Sequence, residues 1–218
     1  MRNVIGVLSS VALVMLLAGI GQAQVPFERQ FAVDIIVTSP GFADQGGTLY
    51  VGDRMIRMDM EEAGEEIAMI LDFTAEVMTM RMVMPAEMMY VEMSMDVAEF
   101  LESDDMDLFF AIATPDHPDH PCQTFPERVD CRHVGSEQVN GVQADRWEIE
   151  VTDEAGDVWA QTLWFDPEEA VVVRLEYDDG NTVHLRDYRF GPQPAELFEV
   201  PEGYERFELP PGMPFPGN

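Results

Sequence analysis

The 218-residue chain carries 42 aspartates and glutamates against 12 arginines and no lysine, a formal charge of −30. Such a field repels phosphate backbones and anionic headgroups, which excludes nucleic acid as a partner and excludes direct electrostatic binding to membranes. A carboxylate-rich surface whose only permanent cations are arginines suits a medium in which salt screens self-repulsion, so a salt-adapted, halophilic protein is expected.

Arg2 forms a short positive region and residues 4–20 are an unbroken run of apolar and small side chains. Gly21-Gln22-Ala23 then offers small residues where a signal peptidase cuts. The reading is a signal peptide over 1–23, cleaved between Ala23 and Gln24, and hence a periplasmic or secreted protein. The apolar run would also serve as a short uncleaved anchor. A lipid anchor would need a cysteine after Leu17-Ala18-Gly19, where Ile20 stands, so no lipidation is expected. One domain over 24–210 follows, with a flexible proline-rich tail over 211–218.

From residue 28 to 95 short alternating segments broken by turn residues predict antiparallel strands. Phe31, Val33, Ile35 and Val37 share one face, opposite Ala32, Asp34 and Ile36. A turn is expected at Gly46-Gly47 and a tight hairpin at Gly52-Asp53, between 49–51 and 55–60. Ile67, Met69, Leu71 and Phe73 repeat the period of two, and 72–75 reads as the next turn. Met78, Met80, Met82 and Met84 fall on one strand face, Val77, Thr79, Arg81 and Val83 on the other. Pro85-Ala86-Glu87 closes a hairpin, and Met89, Val91, Met93 and Met95 continue the apolar face. A helix would scatter these methionines around its circumference.

After Met95 the period changes. Asp96 with Glu99 resembles a helix start, and Val97, Phe100, Leu101, Met106, Phe109 and Phe110 follow helical spacing. Residues 114–131, with Pro115, Pro118, Pro121 and Pro126, are expected to be irregular. Cys122 and Cys131 lie in this stretch, and an even cysteine count in an exported chain favours a disulfide that staples a loop. Strands return at 133–139, 144–151, 158–165, 171–177 and 182–190, with hairpin turns at Asn140-Gly141 and Asp179-Gly180-Asn181. Trp147, Ile149 and Val151 should face inward. The tail from Gly191 is expected to pack as an extended strap.

Thirteen of the sixteen methionines fall between Met55 and Met106. Thioethers are soft ligands that can hold Cu(I), but their alternation on one face favours lining an adaptable apolar interior. Asp116-His117-Pro118-Asp119-His120 offers imidazoles and carboxylates with two prolines at hand, and reads as a solvated loop. His133 and His184 lack an evident partner, and no strand-turn-helix nucleophile elbow is present. No catalytic residue, metal or cofactor is assigned, and the chain is not expected to be an enzyme.

The stretch Ile67-Ala68-Met69-Ile70-Leu71-Asp72, followed by Met78-Thr79-Met80-Arg81-Met82-Val83-Met84-Pro85-Ala86-Glu87-Met88-Met89-Tyr90-Val91-Glu92-Met93, resembles an exported, Met-rich bacterial family of uncharacterised function. Gly135-Ser136-Glu137-Gln138-Val139-Asn140-Gly141 and Leu197-Phe198-Glu199-Val200-Pro201-Glu202-Gly203-Tyr204 resemble the same family and, more distantly, the LolA and LolB lipoprotein-carrier superfamily. The resemblance covers most of the mature chain. It implies a mainly β (α+β) fold, an open half-barrel of antiparallel strands curled around one or two short helices, with an apolar cavity between. Val33, Ile35, Met58, Met60, Met69, Leu71, Met78, Met80, Met82, Met84, Met89, Val91 and Met93 would line that cavity, with Phe100 and Phe109 from the helical segment and Trp147 from the later strands. The expected function is binding of an acyl chain, lipid or other apolar group, with a possible envelope protein as partner. The alternatives are a Cu(I) buffer and a purely structural or envelope-stress protein.

Overall fold

The computed structural model describes residues 29–62, 64–75, 77–96, 121–124, 127–152, 156 and 158–208. The elements in chain order are β1 (Phe31–Thr38), β2 (Gln45–Val51), β3 (Met55–Glu62), β4 (Glu65–Asp72), β5 (Val77–Met84), β6 (Met89–Asp96), a helical turn α1 (Pro121–Thr124), β7 (Val129–Val139), β8 (Val142–Thr152), β9 (Val158–Asp166), β10 (Val171–Tyr177), β11 (Thr182–Phe190) and β12 (Glu205–Arg206). All twelve strands join one sheet in the order β12-β6-β5-β4-β3-β2-β1-β11-β10-β9-β8-β7. Two meanders, β1 to β6 and β7 to β11, are therefore sewn together by antiparallel pairing of β1 with β11. The expectation of a mainly β fold built as an open, largely antiparallel sheet is met in these residues. The expected helical segment over 97–110 lies outside them, as do the cleavage residues Ala23 and Gln24.

Local chemistry accounts for the hairpins. Asn140 and Gly141 adopt φ of 52° and 90°, the paired left-handed geometry that a two-residue turn requires and that asparagine and glycine tolerate. Asp72 accepts hydrogen bonds from the Thr74 amide at 3.0 Å and the Thr74 hydroxyl at 2.6 Å, a side-chain turn that ends β4. Pro85–Glu87 makes one 3-10 turn closed by Met88 at φ 50°.

Three expectations are corrected. Gly46 and Gly47 do not turn the chain; they lie within β2, opposite Ile36 and Ile35 of β1, and the preceding turn carries the Phe42 amide to the Ser39 carbonyl. Glycine is required at 47 for room, because a Cβ there would stand 2.4 Å from the Asp59 carbonyl oxygen. Residues 114–131 are not wholly irregular, since α1 spans 121–124 and β7 already begins at Val129. Finally, the tail is more than a strap: β12 pairs in parallel with β6, the Glu205 amide donating to the Met88 carbonyl and the Phe207 amide to the Tyr90 carbonyl.

One face of the sheet carries a continuous apolar layer from Met78 on β5 through Leu71, Ile56, Leu49 and Val33 to Leu185, Leu175, Leu163 and Ile149. Each such side chain taken wholly out of water contributes roughly 1.5–3 kcal/mol. The Cys122–Cys131 disulfide, with Cα atoms 5.9 Å apart, ties α1 to β7 beside this layer. The opposite face holds two smaller clusters. Phe198 packs on Ala68, Ile70 and Val83, while Trp164 packs with Val139, Ala144 and Val173.

Candidate functional site

The methionine block is assembled by strand register. Met58 on β3 lies opposite Met69 on β4, which lies opposite Met82 on β5, which lies opposite Val91 on β6. The adjoining row runs Ile56, Leu71, Met80, Met93. The period of two thus places Met78, Met80, Met82 and Met84 on one face, as the alternation predicts. Burial is graded along this block. Val33, Ile35, Met58, Met69, Leu71, Met78 and Val91 are buried, and Met60, Met80 and Trp147 pack against the core while remaining partly exposed. Met82, Met84, Met89 and Met93 are half-buried. Beside Met58 and Met60, with Ile35 and Val37, the residual void is only about 10 Å³, about the space of one water molecule. Phe100, Phe109 and the Asp116 to His120 cluster lie outside the described residues.

A second site has no counterpart in the sequence reading. β10 and β11 are paired only at Arg174–His184, Leu175–Val183 and Glu176–Thr182. Beyond these, β10 stays with β9 and β11 stays with β1, so neighbouring strands part inside the sheet. Each carries an extra residue at this point, Val173 on β10 and Asp187 on β11. Asp187 adopts φ 55°. Such bulges kink a strand and unpair it locally. The result is an open cleft of about 650 Å³ bordered by Val171, Val173, Leu185, Asp187, Tyr188 and Phe190.

Side chains stand in for the missing ladder. The Asn140 amide, at the tip of the β7–β8 hairpin, donates to the carbonyls of Val173 at 3.0 Å and Leu185 at 3.4 Å. The Tyr188 hydroxyl donates to the Val172 carbonyl at 2.7 Å. At the mouth, Arg29 donates to the Glu169 carbonyl at 2.5 Å and its carboxylate at 3.1 Å, while its guanidinium sits 3.4 Å over the Phe190 ring. Asp166, only 6% exposed, accepts the Glu168 and Glu169 amides and so shapes the β9–β10 turn beneath. Asn140 was legible as a turn residue, but its reach across the split was not.

Burial also sets protonation. The Tyr188 ring borders the cleft while its hydroxyl is desolvated, and that desolvation pushes its pKa well above the ordinary phenol value. Tyr177 is pushed the same way by burial and then by Asp179. His184 is held below its usual value by burial, then by Arg174 and Arg186, with Asp44 acting in the opposite direction. His133 lies 3.7 Å from an Asp145 carboxylate oxygen and beside Trp147. On the core face Gln161 is 2% exposed, and among the described residues neither its amide nitrogen nor its oxygen has a partner. Among the described residues no group of three or more histidine, cysteine or acidic side chains is arranged to hold a metal. No helix among them is long and apolar enough to cross a membrane.

No family model and no curated protein matches the chain. Solved structures do. An uncharacterized conserved protein from Thermus thermophilus is 10% identical with a TM-score of 0.54, covering 91% of this chain and 98% of its own, and shares the fold. Two further matches are MucB from Pseudomonas aeruginosa, solved in complex with MucA(peri), and the Mycobacterium tuberculosis lipoprotein LppX. MucB is 12% identical with a TM-score of 0.40, covering 88% of this chain and 60% of its own. LppX is 9% identical, also at 0.40, covering 72% and 86%.

Proposed function

We propose that the chain is an exported binding module, periplasmic or secreted, that holds an acyl chain or another apolar group against the methionine end of its core face and performs no catalysis. The supporting observation is the gradient of burial across β5 and β6. The core face is closed at Met78 and Leu71, whereas Met82, Met84, Met89 and Met93 remain half-buried on the same apolar surface. Unbranched thioethers adapt to ligands of varied shape. Each methylene buried is worth about 0.8 kcal/mol, so a chain of roughly ten carbons offsets the cost of association.

Native mass spectrometry of protein taken from its own compartment should show a co-purified lipid, and the delipidated protein should take up a fluorescent fatty acid. Replacing Met82 and Met93 together by asparagine should abolish that uptake. A clean apo mass with no uptake would overturn the reading in favour of a structural or envelope-stress role.

A second reading is Cu(I) buffering, favoured by the direct cross-strand alignment of Met58, Met69 and Met82. Substituting Met58, Met69 and Met82 by leucine would then remove Cu(I) binding and leave the fold intact.

Salt adaptation is part of the proposal: the melting temperature should rise with salt as the field of −30 charges is screened.

A further inference from the structure

We propose that the split between β10 and β11 is a slot for an extended basic peptide, which enters as an added strand and lays an arginine side chain on Phe190 and Glu169. This site lies away from the methionine block and does not depend on the reading above.

Three observations carry it. First, the slot is bordered by main chain that the sheet itself leaves unpaired: β10 and β11 share only three residue pairs and diverge from Arg174 and His184 onward. A strand edge of this kind is a template for another strand. The carbonyls of Val172, Val173 and Leu185 are held instead by side chains, Tyr188 and Asn140, and each carbonyl oxygen has a second lone pair that an incoming backbone amide can use.

Second, the space is adequate. The cleft of about 650 Å³ falls within the roughly 300–1,000 Å³ of ligand clefts. Val171 and Val173 offer apolar floor for alternate side chains of a strand.

Third, the slot displays its own preference. Arg29 already places a guanidinium over Phe190 and on Glu169, and the lining sets three carboxylates, Asp166, Glu169 and Asp187, against one cation, Arg186. The Arg29–Glu169 pair is exposed on both sides, and such pairs are worth little, about 0–1 kcal/mol. A competing arginine within a strand that also gains main-chain hydrogen bonds can displace it. In a chain of −30 charge the same field draws cationic peptides inward.

The test is fluorescence polarisation on the full chain with a labelled, capped pentapeptide of alternating valine and arginine. The glutamate analogue and a backbone N-methylated analogue serve as controls. The arginine peptide should bind, weaken with added salt, and exceed both controls by about tenfold or more, equivalent to roughly 1.4 kcal/mol. Arg29→Ala, which vacates the slot, should tighten binding several-fold, and Glu169→Gln should weaken it several-fold. Absence of binding, equal binding of the N-methylated peptide, or an Arg29→Ala variant that binds no better would each overturn the proposal.

Discussion

Gly52 and Phe198 are in contact across the outer face of the sheet: a Cβ added to Gly52 would stand 2.6 Å from the Cζ of Phe198. Phe198 is 3% exposed and lies among Ala68, Ile70 and Val83. The bare backbone after β2 therefore forms part of the pocket for the chain's C-terminal anchor. Gly52→Ala should destabilise the protein by about 1–3 kcal/mol through overpacking. Phe198→Ala should cost about 3–5 kcal/mol and loosen the β12–β6 pairing. Urea unfolding measures both, and hydrogen exchange at the Glu205 and Phe207 amides reports the second.

Alkaline stability should depend on two tyrosines. Burial raises the phenol pKa of Tyr188, and burial followed by Asp179 raises that of Tyr177. A raised native value means that the unfolded chain loses its phenol protons first, near pH 10. Stability from these groups is thus fully present below about pH 10 and is lost above it, at up to about 1.4 kcal/mol per pH unit for each tyrosine. Urea unfolding at a series of pH values from 8 upward should show this decline, and Tyr188→Phe should shallow it.

Gln161 sits between Trp159 and Leu163 along β9 and opposite Ile149 and Tyr177 across it. Its buried amide has no partner on either atom among the described residues. Gln161→Leu removes that desolvation cost and should stabilise the fold by about 1–3 kcal/mol. A loss of stability in thermal unfolding would contradict this.

Met78 is wholly buried, at 0% exposure. Met78→Ala should cost about 2–5 kcal/mol, whereas Met78→Leu, which conserves volume, should cost less than about 1.5 kcal/mol. Met82→Leu should be close to neutral for stability, since Met82 is only half-buried. Denaturant midpoints of the three variants separate the structural end of the methionine block from the end proposed to meet a ligand.

Much of this sheet was legible locally. The bounds of β10 and β11, the Asn140-Gly141 turn and the shared face of Met78 to Met84 all follow from alternation and turn chemistry, which act between residues close in sequence. Gly46-Gly47 misled for a long-range reason. Gly47 answers the approach of Asp59 from β3, not a local bend. The β10–β11 split was invisible because each segment reads in sequence as one unbroken strand, and the bulges at Val173 and Asp187 that make them diverge are defined only against the partner strands. Likewise nothing in Glu205-Arg206 marks a strand apart from the edge of β6 that it covers.

The seam between β1 and β11 also governs how the molecule is assembled. Every other antiparallel pair among the described residues joins strands consecutive in sequence, so those hairpins close early over short loops. Phe31 meets Phe190 only after nearly the whole domain has emerged. Until then β1 is an open edge with Phe31, Val33, Ile35 and Val37 unburied by its later partner. Long-range pairing of this kind is slow and exposes strands to association with other chains. The dense negative charge of the chain supplies mutual repulsion during that interval and so keeps half-made molecules apart.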